Sequence, residues 1–205
     1  MAALPLRQGL ATPFMTSLRD DEGLTMYLII GATLPAELRT TLLGLQAHFP
    51  DKSWVPESFL FLPFCAVGNI TDPTVLEEID HALRNICPRT PLPFTTDGFE
   101  VSLRKDRISL GIKVQSSQID HLSVKIRSAM QRAGVQNPKL YTPLTIPLAG
   151  VTDVPSLNVS QWIQMHHPQT FSEQAISEIT LFSSWKNEET PLIIPEEEYH
   201  FSGNI

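Results

Sequence analysis

The feature that most constrains the fold is Met26-Tyr27-Leu28-Ile29-Ile30-Gly31-Ala32, an almost uninterrupted apolar run. A run this short cannot cross a membrane, and its lack of alternation fits a strand buried on both faces. A second run covers 59–66, from Phe59 to Ala66. Each is followed by a helical pattern. Pro35 suits a first turn, with Leu38, Leu42, Leu43 and Leu45 along one face. Asp72-Pro73 reads as an N-cap and first-turn proline ahead of Val75, Leu76, Ile79, Leu83 and Ile86.

The rest of the chain continues in the same way. Pro88, Pro91 and Pro93 read as a connector. Val101 to Leu103 and Ile108 to Val114 flank Arg104-Lys105-Asp106-Arg107 and predict a hairpin. Ile119, Leu122, Ile126 and Met130 predict a helix over 117–133 that Gly134 stops. A strand is expected over 144–151, a short helix over 153–166, and closing strands over 175–183 and 192–194. Residues 1–24 lack clean periodicity and are expected to form a flexible arm, with a single domain over 25–205. Strands and helices mix throughout, and a weak echo relates Phe61-Leu62-Pro63-Phe64 to Thr145-Ile146-Pro147-Leu148.

Composition narrows the function. Fifteen Lys and Arg against 22 Asp and Glu give a net charge of −7. General nucleic-acid binding needs a cationic surface and is not expected. Cys65 and Cys87 have no metal-ligand spacing and read as free thiols of a reducing compartment. Arg7, Gln8, Arg19 and Asp20 break up any signal-peptide core, and no stretch approaches the ~20 apolar residues of a span. A cytoplasmic protein is expected, with no membrane association. The sequence implies neither cofactor nor metal, and it carries no sign of an oligomeric state.

Several segments, in order, resemble the two-histidine (2H, LigT-like) phosphoesterase superfamily. They are His48-Phe49-Pro50 at a helix end, Trp54-Val55-Pro56-Glu57 and Thr90-Pro91-Leu92-Pro93-Phe94. Tyr141-Thr142-Pro143, Glu178-Ile179-Thr180-Leu181-Phe182 and the Trp185-Lys186 turn follow. The resemblance spans about residues 26–201. It implies an α+β fold of two pseudo-twofold lobes, with antiparallel-rich sheets backed by helices around a central cleft.

That family carries His-x-Thr on each of two facing strands. One imidazole accepts a proton from the attacking hydroxyl or water, and the other donates one to the leaving oxygen. Here the echo places Phe61-Leu62-Pro63 and Thr145-Ile146-Pro147 at those positions. A register set by Pro56 and Pro143 places Ser58-Phe59-Leu60 and Leu144-Thr145-Ile146 there instead. Neither contains histidine. His48, His81 and His121 read as surface or satisfied positions, His166-His167 as a helix end, and His200 as a residue without a partner. No two histidines are expected to converge.

The resemblance therefore implies a degenerate member, a pseudoenzyme for phosphodiester hydrolysis. Phe61, Pro63, Leu144, Thr145 and Pro147, with Ser58 or Tyr27 nearby, are expected to line a mainly apolar pocket. Strand alternation allows only one parity of each segment to face it. Such a pocket fits an apolar small molecule, bound alone or steered through an isomerisation or cyclisation. Two alternatives stand beside it: a non-catalytic interaction module, and a residual cyclic-nucleotide or RNA phosphodiesterase.

Overall fold

The computed structural model describes residues 26–104, 107–152, 154–166, 173–185 and 191–202. The expected arm over 1–24 and the tip of the predicted hairpin at 105 and 106 lie outside them, as do His167 and Lys186. Among the described residues no helix is long and apolar enough to cross a membrane.

The chain runs β1 (Met26–Thr33), α1 (Ala36–Gln46), β2 (Trp54–Pro56), β3 (Phe61–Gly68), α2 (Pro73–Ile86), β4 (Leu92–Arg104) and β5 (Arg107–Gln115). It continues α3 (Ser117–Arg132), β6 (Lys139–Leu140), β7 (Thr145–Thr152), α4 (Ser156–Met165), β8 (Gln174–Ile176), β9 (Glu178–Trp185) and β10 (Leu192–His200). The helix boundaries have local causes. Asp72 accepts from the Thr74 backbone N–H with Pro73 behind it, and Ser116 accepts from Ile119 N–H. Gly134 takes a φ of 95° just past α3, which a side chain would resist.

Two five-stranded sheets form, in the orders β10-β9-β1-β3-β6 and β8-β4-β5-β7-β2, and every described pairing is antiparallel. Placed side by side, the two orders superimpose strand for strand: β1 on β5, β3 on β7 and β6 on β2. This is the two-lobed α+β architecture that the resemblance implies. The match extends to an irregularity. Pro63 pairs with Gly31 and Cys65 with Ile30, leaving Phe64 as a bulge. Pro147 pairs with Gly111 and Ala149 with Leu110, leaving Leu148 as a bulge. The bulged carbonyls are used alike: Tyr141 N–H donates to Phe64 O, and Glu57 N–H to Leu148 O, both at 3.0 Å. Each proline lacks a donor, and each sits beside a bulge rather than in an unbroken ladder.

Several boundaries differ from expectation. Pro93 pairs with Ala175 inside β4, so part of the expected connector is strand. The expected strand over 175–183 divides into β8 and β9 at Ser177. The closing strand reaches His200 rather than 194.

Candidate functional site

Alternation along β3 and β7 separates two faces. Leu62 and Phe64 on β3, and Leu144, Ile146 and Leu148 around β7, are buried in the main core. Phe61 and Pro63 have the opposite parity on β3, and Thr145 and Pro147 on β7. Those two faces are turned away from the main core, and β3 and β7 meet across the sheets.

On the β3 side this face is aromatic. Phe61 packs against Phe182 at 4.6 Å between ring centroids, and Phe59 lies 5.7 Å from Phe182. Phe61, Ile29 and Phe182 form a buried cluster distinct from the main core, with Phe59, Tyr141 and Ile193 partly covering it. Phe61 is only 5% exposed, so this wall is filled by its own side chains.

On the β7 side the face is polar. Thr145 is half-buried and donates to Pro143 O at 3.2 Å. Lys113 pairs with Thr145 across β5 and lies 3.8 Å from Asp97. The Arg107 guanidinium lies over Gly150, in the space that a Cβ there would occupy. Burial pushes the Glu57 carboxyl above its ordinary value, and the Arg107 charge opposes that rise. Glu57 and Tyr141 are equivalent under the pseudo-twofold, each following the short edge strand of its lobe. Glu57 stood in the sequence only as part of a lead-in. Its shift could not be read there, because Arg107 lies far along the chain.

The remaining expected residues fall elsewhere. Leu144 is 4% exposed within the main core, so it does not line the cleft beside Thr145. Ser58 precedes β3, is exposed and donates to Pro191 O at 3.1 Å. The register set by Pro56 therefore falls ahead of the strand. Tyr27 is 46% exposed at the start of β1, paired with Ser184.

Two histidine readings are corrected. His200 does have a partner: its Nδ1 lies 3.0 Å from Glu178 Oε2, and Glu198 is 3.9 Å from its other nitrogen. Thr33 donates to the other oxygen of Glu178. Glu178, Glu198 and His200 offer ligand atoms within 4.8 Å of one another, brought together by the β9–β10 pairing that sets His200 opposite Glu178. His48 and His166 do converge, at 5.7 Å between ring centroids. They lie on the helical side: His166 stacks on Trp162 at 4.3 Å, and Trp162 packs with Trp54 in the main core. Each Nδ1 is engaged by the carbonyl four residues earlier. The pair therefore belongs to the opposite face of the sheet from Thr145.

Two antiparallel lobes related by a pseudo-twofold, with the bulged strands β3 and β7 in contact, define the LigT-like phosphoesterase fold. Among solved structures the chain is similar to E. coli LigT complexed with 3′-AMP, with a TM-score of 0.66 at 18% identity, covering 86% of this chain and 98% of that one. It is also similar to the protein TT0787 of Thermus thermophilus, with a TM-score of 0.64 at 16% identity, covering 87% and 100%. A third crystal structure, described as a phosphoesterase, gives a TM-score of 0.63 at 18% identity, covering 86% and 99%. At such identities the likeness is one of fold. No protein-family profile matches the sequence, and no curated protein matches it.

Proposed function

We propose that this phosphoesterase-like fold has given up two-imidazole phosphodiester chemistry and uses its cleft to bind an apolar small molecule. The observation that carries this reading is the Phe61–Phe182 cluster on the cleft face of β3. Burying a phosphodiester anion against the aromatic β3 wall, whose side chains offer it no donors, is unfavourable. The half-buried rings of Phe59 and Tyr141 are the surface a ligand would touch, with Phe61 and Phe182 behind them. Thr145 orients the ligand through one hydrogen bond, worth ~0.5–1.5 kcal/mol net. An isomerisation or cyclisation would draw its proton donor from Glu57, whose carboxyl holds its proton above the ordinary range.

The test uses the neutral fluorescent probe N-phenyl-1-naphthylamine. Saturable binding is expected, abolished by Phe61→Asp and weakened no more than about tenfold by Thr145→Val. A Phe61→Asp variant that folds and binds the probe like the parent contradicts the reading. One observation favours a second reading, an interaction scaffold with a closed cleft: Phe61 is 5% exposed and Phe182 is fully buried. Absence of any saturable probe binding selects it.

A further inference from the structure

A groove of about 870 Å³ lies between the C-terminal end of α2 and the outer face of α3, away from the central cleft. Its floor is apolar: Ile86 and Leu92 from one side, Leu122 and Val124 from the other. Val124 is 45% exposed, whereas Leu122 and Leu92 beneath it are nearly buried. A recess of about 230 Å³ shares Ile86 and Arg132 with the groove and continues it along the same helix pair.

Charge distinguishes the groove from the rest of the molecule. In a chain of net charge −7, its lining carries Arg89, Lys125, Arg132 and His121 and no carboxylate among the described residues. Glu78 enters only in the adjoining recess. Among the described residues no carboxylate pairs with Arg89, Lys125 or Arg132. Lys125 and Arg132 stand seven residues apart on one stripe of α3, about 10.5 Å along the axis. A helix lying along the groove would present carboxylates at i and i+7 with that same spacing.

We propose that the α2–α3 groove docks an acidic amphipathic helical segment of a partner protein. Its apolar stripe lies on Leu92, Leu122 and Val124, and its flanking carboxylates face Lys125, Arg132 and Arg89. The spread of Lys125 and Arg132 along two turns of α3, with Arg89 beyond, fits a helix better than a small anion with one charged head. The mode does not involve the central cleft, so it stands or falls independently of the cleft reading.

The experiment measures fluorescence anisotropy of a labelled amphipathic peptide with leucines at i, i+3, i+4 and i+7 and glutamates on both flanks. Its control is the same peptide with lysines in place of the glutamates. The full-length protein is expected to bind the glutamate peptide at least about tenfold more tightly than the lysine one. Binding should weaken as salt is raised. The double variant Lys125→Glu/Arg132→Glu, at exposed positions, should invert that preference while its unfolding temperature stays near the parent's. Equal binding of the two peptides overturns the proposal, as does a preference that the double variant leaves unchanged. Binding of dodecanoate at the groove without binding of the glutamate peptide also overturns it, in favour of a small amphipathic acid.

Discussion

Gly31 and Gly111 occupy equivalent places in the two lobes, each paired with a proline beside a bulge. A Cβ at Gly31 would fall 2.5 Å from Leu62 O and 3.1 Å from the Phe61 ring. At Gly111 it would fall 2.7 Å from Ile146 O and would collide with Thr145 Cγ2. Each glycine thus lets the first residue of the echoed segment lie across the neighbouring strand. Phe61 uses that space to reach Phe182, whose partner on β1 is Ile29.

Gly31→Ala and Gly111→Ala should each lower stability by ~1–3 kcal/mol, because the obstructing atoms include backbone that cannot swing aside. Urea unfolding at neutral pH measures this. A loss below the ~0.5 kcal/mol of an ordinary surface change at either site would contradict the equivalence.

Glu57 gives a pH prediction with a definite sign. Burial raises its carboxyl above 4.5 in the fold, so the folded state holds that proton more tightly than the unfolded chain. Its contribution is therefore fully present below the unfolded value and is lost as pH rises through the raised folded one. The stability difference between parent and Glu57→Gln should fall as pH is raised from 4 to neutrality. A difference that stays flat or grows would mean that the Arg107 charge, and not burial, governs this carboxyl.

Much of the fold was legible because its signals are local. β1 announces itself by continuity, α2 by Asp72-Pro73 and its apolar stripe, and α3 by its own stripe and Gly134. The elements that escaped are held by distant partners. β2 and β6 are two or three residues long and exist through pairing with β7 and β3. β10 carries Glu196, Glu197 and Glu198, which obscure a strand but suit the exposed edge of a sheet. The same reasoning separates the site residues. The echo located the paired segments, since a repeat is visible along the chain. The Phe61–Phe182 and His200–Glu178 contacts join residues whose separation no local pattern can span.

The most direct test of the central claim is an assay of the purified protein on 2′,3′-cyclic nucleotides. A positioned proton-transfer group typically contributes ~10²–10⁴-fold, and neither β3 nor β7 contains a histidine. The account predicts no turnover above the uncatalysed background, for parent and Thr145→Val alike. Robust turnover that Thr145→Val or Glu57→Gln abolishes would contradict it.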